Sequence, residues 1–335
     1  MAVRKPIVRV KGPQTSNLVE VWGASLVGIS IHDATAHDSD TCKLTFSVSA
    51  PFPALPPKGT RYVVSVGWSS DAMAKTGIYT VQRCSIEGDP ESGSILTVAC
   101  RAADLADKAK GVDSGHWEET TLGVIFDDVA GKMGLTAVVD PDLRSIAIPY
   151  RARLEEEAGA FLTDLADDFG GALKIAGGKV VVTRRGSGRS ASGTTLPTLT
   201  FTHGPEYHFN FEFEPRGDDA ESVGTWWDEE TGTWRDETDE GEGKGRLATA
   251  HPWPSKSEAK TGAKARRREH QRKSVTGSVE GPGDPAAVAG CPVVVSGYGP
   301  DADGTTWVAE SIDHEIEPDG GWIMTANLET KDKES

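Results

Sequence analysis

Residues 155–185 read EEEAGAFLTDLADDFGGALKIAGGKVVVTRR, and this stretch decides the architecture of the middle of the chain. Ala158, Phe161, Leu162, Leu165, Ala166 and Phe169 recur at the spacing of one helical face, which predicts an amphipathic helix. Glu155, Glu156 and Glu157 are expected in its first turn, where carboxylates favour the positive end of the helix dipole. Gly170-Gly171 supplies the stop. Leu173 and Ile175 then alternate into a strand, Gly177-Gly178 turns it, and Lys179 to Val182 return as its hairpin partner. Burying Phe161, Leu162, Leu165 and Phe169 against that hairpin contributes roughly 6–12 kcal/mol gross, at about 1.5–3 each, before conformational entropy is subtracted.

A chain of 335 residues has room for two or three domains with substantial cores. It contains no apolar run of about 18 residues, so no bilayer-spanning segment and no membrane insertion of its own is expected. The N-terminal MAVRKPIVRVKG shows charges without the apolar core of a secretory signal. Cys42, Cys84, Cys100 and Cys291 never form a C-x-x-C pair, which argues against zinc and dithiol redox sites and suits a reducing compartment. A net charge of −16 argues against general nucleic-acid binding, which needs clustered Lys and Arg.

From Val8 to Val48 the pattern is of strands, and after the extended Pro-rich connection PFPALPPKG further strands follow. Leu44, Phe46 and Val48 alternate with polar residues up to Pro51, Arg61 to Val66 forms another strand, and residues 86–98 make a hairpin around Asp89-Pro90-Glu91-Ser92-Gly93. Beyond Cys100 the composition turns helical: residues 103–110 read as helix, and Thr121 is placed to cap a second one whose buried face is Leu122, Ile125, Phe126 and Val129. Ser187 to Thr195 reads as a flexible link. Tyr207, Phe209, Phe211 and Phe213 give a strand with one aromatic face, and 222–228 with 231–237 a hairpin carrying Trp226, Trp227 and Trp234. Residues 255–273 form a basic helix.

The first and last portions of the chain align with each other. Thr45/Thr276, Pro51/Pro282, Gly59/Gly290 and Ser65/Ser296 each differ by 231 (276−45, 282−51, 290−59, 296−65). YVVSVGW parallels PVVVSGY, and Gly77-Ile78-Tyr79 parallels Thr305-Thr306-Trp307. The expected fold is therefore a β-rich α+β protein with two homologous antiparallel β-barrels separated by an α+β insertion. The expected division is a first barrel over 1–100, a middle domain over 101–197, and a second barrel over 198–330. The last carries an acidic loop at 217–245 and the inserted basic helix at 255–273.

Four constellations bear on chemistry. His32-Asp33, His37-Asp38 and Asp40 bring imidazole and carboxylate close in sequence, as a zinc or manganese site would, but their spacing does not face two His together, and an acidic turn is the better reading. Glu155 to Glu157 with Asp164, Asp167 and Asp168 supply carboxylates of the kind glycosidases use, yet helical phase puts most of them on the solvated face. Trp226, Trp227, Trp234 and Trp253 suit a sugar-stacking platform or, as we favour, a core or subunit interface. The basic helix is expected on the surface, pairing with the acidic segment of a neighbouring subunit. No G-x-S-x-G, H-E-x-x-H or phosphate-binding glycine loop occurs. We therefore expect no catalytic residue, no metal and no cofactor.

The pattern E…A-F-L-T-x-L-A-x-x-F-G-G-x-L-K-I-x-G-G-K-V-V-V over 157–182 resembles the central signature of the phage late control D family, the baseplate hubs of contractile tails, related to the hub part of type VI secretion spikes. Asp33 to Asp40, Trp117 to Leu135, Trp226-Trp227-Asp228, Gly283-Asp284-Pro285 and Asp303-Gly304…Trp307-Val308…Ile312…His314 resemble further family motifs in the family's order. The long acidic segment 217–245 departs from it. The resemblance implies tube-like barrels and a virion protein of the tail baseplate, assembled in the host cytoplasm. It implies a homotrimer that adapts the sixfold tail tube to the threefold central spike. Its partners would be the spike, tube, tape measure and baseplate wedge proteins, with DNA only in transit through a lumen that the −16 charge leads us to expect is net acidic. The alternative is a tail-associated glycan-binding or wall-degrading protein, motivated by the Trp cluster and the carboxylates.

Overall fold

A computed structural model describes residues 5–35, 40–69, 73–91, 93–102, 111–214, 221–240, 245–249, 251–318 and 320–331. The first portion contains β1 (Ile7–Lys11), α1 (Leu18–Trp22), β2 (Leu26–Ala34), β3 (Thr41–Val48), β4 (Arg61–Gly67), β5 (Ala74–Asp89) and β6 (Gly93–Arg101). The middle follows as β7 (Val112–Thr121), α2 (Leu122–Lys132), β8 (Thr136–Val139), α3 (Pro141–Arg144), β9 (Ala147–Glu157), α4 (Ala158–Asp168), β10 (Gly171–Ala176) and β11 (Lys179–Arg184). Then come β12 (Leu199–Thr202), β13 (His208–Phe213), β14 (Glu221–Asp228), β15 (Thr233–Asp239), β16 (Arg246–Ala248) and α5 (Lys256–Ser274). The chain ends with β17 (Val275–Pro282), β18 (Pro292–Ser296), α6 (Pro300–Gly304), β19 (Trp307–Ile316) and β20 (Trp322–Thr330).

The internal repeat is visible in the strand pairing. The first copy is ordered β1-β4-β5-β6-β3-β2 and the second β12-β18-β19-β20-β17-β13, the same connection pattern twice. Within each copy every ladder is antiparallel except β12·β18. A bulge falls between Val81 and Arg83 where β5 meets β6, and another between Ala309 and Ser311 where β19 meets β20. Ahead of β4 the Gly59 amide donates to the Val81 carbonyl (2.9 Å) and the Val81 amide to the Thr60 carbonyl (2.9 Å). Ahead of β18 the Gly290 amide donates to Ala309 (2.7 Å) and the Ala309 amide to Cys291 (2.9 Å). Gly59 and Gly290 both sit at φ 88°, which explains why glycine stands at both places. Tyr79 and Trp307, aligned in the sequence, are opposite Tyr62 and Val293 in their ladders and are buried at 1% and 0% exposure.

Two expectations need correcting. The two copies are hydrogen-bonded into one twelve-stranded sheet through β2·β19, and among the described residues no ladder closes either copy into a barrel. The constant offset also fails at one strand. β3 sets Cys42 against Cys100 whereas β17 sets Gly277 against Leu328. Cys100 and Leu328 are counterparts at offset 228 (328−100), as Val81 and Ala309 are (309−81), so the counterpart of Cys42 is Gly277, at offset 235 (277−42) rather than 231. A shift of four keeps the same side chains facing the core, so apolar alternation is blind to it.

Three cores support the molecule. One centres on Val10, Ile29, Val64 and Tyr79, one on Val279, Val295, Trp307 and Leu328, and the middle one on Phe126, Ile148, Phe161 and Leu165. In the middle core α4 buries Ala158, Phe161, Leu162, Leu165 and Ala166 as its spacing predicts, and Gly170 follows at φ 72°. The β10·β11 hairpin pairs as expected and adds β8 in parallel. Glu155 to Glu157, however, belong to β9 and precede the helix. The buried Arg153 guanidinium donates to the Glu156 carbonyl (3.0 and 2.7 Å) and the Gly111 carbonyl (2.7 Å), and the Glu155 amide donates to Ser114 Oγ (2.9 Å). These bonds hold Glu155 at φ 47° and keep the segment paired with β7. Thr121 stands at the N-cap of α2 without a side-chain bond to the helix.

The described part of the 217–245 segment forms β14 and β15, which join β16 in the sheet β15-β14-β16, and α5 packs on it. Trp253 and Ala259 join the middle core. The Ser/Gly-rich stretch closes a turn of its own, the Ser190 amide donating to Thr194 (2.8 Å) and that of Gly193 to Ser190 (2.8 Å). Residues 103–110, read as helix, lie outside the described residues.

Candidate functional site

Asp33 on β2 and Asp40 just before β3 converge on one lysine. Lys174, from β10 of the middle portion, is ion-paired to Asp33 and, at 2.8 Å, to Asp40 Oδ1. Asp33 Oδ2 accepts from the Ala289 amide at 2.9 Å, in the loop before β18. One side chain thus fastens all three portions of the chain at a single point. Burial pushes the Asp40 carboxyl up to about 6, opposed by the neighbouring Lys174. For Lys174 burial acts to lower the pKa, and the two carboxylates outweigh it, so the ammonium is held above its ordinary value. Beside the clamp His32 Nδ1 lies 2.6 Å from Asp313 Oδ1, and Asn327 donates to the other oxygen of Asp313 at 3.1 Å. Asp33 and Asp40 fasten the first sheet to its neighbours. His37 and Asp38 lie outside the described residues, and among the described residues no group of three His, Cys, Asp or Glu could hold a metal ion.

Two of the carboxylates of α4, Asp167 and Asp168, are matched to arginines. Arg185 meets Asp167 at 2.6 Å and Arg151 meets Asp168 at 2.9 Å, on the wall of a cleft of about 670 Å³ shared with His251, Trp253 and Glu269. Burial raises Asp168 above the ordinary carboxylate range, with Arg151 opposing it. Glycoside hydrolysis needs one carboxyl kept protonated beside an ionised one, and an arginine on each acid works against that separation. Glu156, on β9, is also raised by burial and by the nearby Asp164, with Arg151 and Arg153 opposing.

The four tryptophans do not form one platform. Trp253 is buried between α4 and α5, donates to Thr249 Oγ1 at 3.2 Å and meets Phe169 edge-on. Trp226 is half-buried, and Trp227 and Trp234 form an exposed pair with ring centroids 5.0 Å apart on the β14·β15 hairpin. The basic helix α5 starts on a serine N-cap, with Ser255 Oγ accepting from the Glu258 amide and donating to its carboxylate. Several of its cations pair within the chain. Arg267 meets Asp239 at 3.0 Å, Lys256 meets Glu237 at 3.7 Å, and Lys273 meets Glu269 at 2.8 Å. The acidic hairpin and the basic helix are halves of one packed unit. Cys42, Cys84, Cys100 and Cys291 are free thiols, and burial pushes that of Cys100 up to about 12.

Sequence reasoning missed Lys174 and Arg153, and placed His314 in a family motif without giving it a role. Trp322 Nε1 donates to His314 Nδ1 at 3.1 Å, and burial pushes that imidazole down to about 4. Lys174 takes its role from Asp33, 141 residues away in the chain.

The probable baseplate hub protein of Escherichia phage P2 is 30% identical over 186 residues, which cover 55% of this chain and 47% of that protein. That of Escherichia phage 186 is 28% identical over 192 residues, 57% of this chain and 49% of the relative. The chain spans about half the length of the curated relatives it matches. No family model matches it. Among solved structures, the 43 kDa tail protein of prophage MuSo2 from Shewanella oneidensis superimposes with a TM-score of 0.66 at 18% identity, over 96% of this chain and 97% of that one. A component of the type VI secretion system of E. coli superimposes with a TM-score of 0.57 at 10% identity, over 97% of this chain and 77% of that one. These structural likenesses are of fold. The resemblance to contractile-tail hub proteins read from the sequence is met by relatives that carry that name.

Proposed function

We propose that this chain is a structural hub of a contractile-tail baseplate, joining the tail tube to the central spike and performing no chemistry of its own. The observation that carries this reading is the doubled six-strand pattern, with its repeated bulge and repeated loop hydrogen bonds, in a chain similar to named hub proteins. A ring of sixfold-related tube subunits and a threefold spike need an adaptor that presents both symmetries. A homotrimer whose chains each carry two homologous units meets that need. In this reading each copy supplies one of the six positions of the ring, and the middle portion, with α5 and the β14·β15 hairpin, faces wedge or spike proteins. The tape measure would meet the bore, through which DNA passes against an acidic wall. Immunogold labelling of intact tails tests this: label should sit at the baseplate end, and tails that lack the chain contradict it. The exposed Trp227–Trp234 pair favours a second reading, a glycan-binding tail protein. Binding or turnover of peptidoglycan by the purified chain, lost in Trp227→Ala, would support that one.

A further inference from the structure

Inside the chain the two copies meet where residues 29–34 of β2 lie antiparallel to 311–316 of β19. The shared ladders say what corresponds to each side of this junction. Ile29 pairs with Leu44 and Phe209 with Val279, which are counterparts at offset 235 (279−44), so β2 corresponds to β13. The offset of 228 carries Ser311 to Arg83 (311−83), so 311–316 correspond to residues 83–88 of β5. Both counterparts are sheet margins. β13 ends the strand order, and β4 leaves β5 at Thr80, so that 83–88 are paired with β6 on one side alone among the described strands.

Burial tracks this difference position by position. Ile29 is 0% exposed, and its counterpart Phe209 is 48% exposed, with Phe213 at 42%. His314 is 3% exposed where its counterpart Ile86 is 39%. The apolar face that β2·β19 covers in one place stands uncovered in the other, which is what a missing neighbour of the same kind produces. An open groove of about 320 Å³ runs beside β13 between Phe209, Phe211 and Tyr298.

We propose that residues 209–214 of one chain pair antiparallel with residues 83–88 of a second copy, in the register of β2·β19. That register sets Phe211 against Ile86 and Phe213 against Cys84 on the apolar face. On the other face it sets Glu214 against Arg83, opposite charges directly across the ladder, and Asn210 against Glu87. The internal junction uses the same device, for Ser30 donates to Glu315 at 2.6 Å where Asn210 would donate to Glu87. A slip of one residue would turn the phenylalanines onto the charged face, so the register is specified by the sequence. Each chain offers one margin of each kind, so the contact is head to tail, the kind that builds a ring when its rotation closes. The number of chains in that ring rests on the trimer reading above; the strand pairing itself does not.

Native Cys84 makes the test direct. Strands paired this way bring opposed Cα atoms to about 4.5–5.5 Å, inside the range a disulfide spans. Phe213→Cys should therefore cross-link chain to chain on oxidation, giving bands at two and three copies on a non-reducing gel. Phe213→Cys with Cys84→Ser should lose those bands, and Glu212→Cys, which faces the other way, should not form them. In parallel, Arg83→Glu should weaken self-association about tenfold and Glu214→Arg added to it should restore the lost affinity. The interface is overturned by a Phe213→Cys chain that stays uncrosslinked, by bands that survive without Cys84, or by a charge reversal that changes nothing. Failure here in a chain that still labels the baseplate end of tails sinks the interface alone, whereas cross-linking by a chain absent from tails sinks the hub reading alone.

Discussion

Lys174→Met removes the cation of the three-way clamp and leaves its packing volume nearly intact. Breaking a buried ion pair by deleting one partner costs about 3–5 kcal/mol. The Lys174 side chain is 24% exposed and those of Asp33 and Asp40 17% and 9%, so solvent screens part of that and the expected loss is about 2–3 kcal/mol near neutral pH. The loss should depend on pH with a definite sign. Asp40 titrates at about 6 in the fold against 3.8 as a free side chain, so the folded chain binds more protons between those values and gains stability as pH falls through them. At 1.36 kcal/mol per unit the gain is about 3 kcal/mol. Without Lys174 the folded value rises further, and the proton neutralises the orphaned carboxylate sooner. The deficit of Lys174→Met relative to the parent should therefore be largest near about pH 8 and shrink toward about pH 5. His314 titrates in both proteins and drops out of the difference. Urea unfolding across that range, followed by tryptophan fluorescence, measures it. A deficit that is absent, or constant with pH, refutes the clamp as drawn.

Phe161→Ala should cost about 3–5 kcal/mol, because Phe161 is 1% exposed and stacks on Trp117 at 5.5 Å; loss of near-ultraviolet dichroism would show it, and Phe161→Asp should unfold the middle portion. Gly262→Val places a Cβ 2.1 Å from the Trp253 ring and should destabilise by about 1–3 kcal/mol with a shift in tryptophan emission. His314 is held neutral, with a folded pKa of about 4 against 6.5, so its contribution is present above 6.5 and lost as pH falls toward 4, about 3 kcal/mol in all. His314→Phe should flatten that acid limb in a melting-temperature series.

The parts of the fold legible in the sequence are those where one face is buried and the period is clean. Phe161, Leu165 and their neighbours announced α4, the alternation through Leu173 and Val180 announced its hairpin, and the pair Gly59/Gly290 marked the repeat. The strands β7 and β9 were not legible, because VDSGHWEETT and AIPYRARLEEE carry mostly polar side chains and owe their place to mutual pairing and to Arg153. β12 was too short to announce itself. The displacement of β17 by four residues left no trace in a pattern of period two. Lys174 could not be singled out either, since Asp33 lies 141 residues away in the chain and only the tertiary fold brings them together.

The central claim is that one chain carries two equivalent units of a ring that joins a tube to a spike. Cryo-electron microscopy of the assembled tail tests it most directly. It should show three copies of this chain between tube and spike, the β1–β6 and β12–β20 sheets alternating at six equivalent places with residues 83–88 of each chain against 209–214 of the next. Six copies of the chain at that level, or two sheets that do not superimpose on one another around the axis, would contradict it.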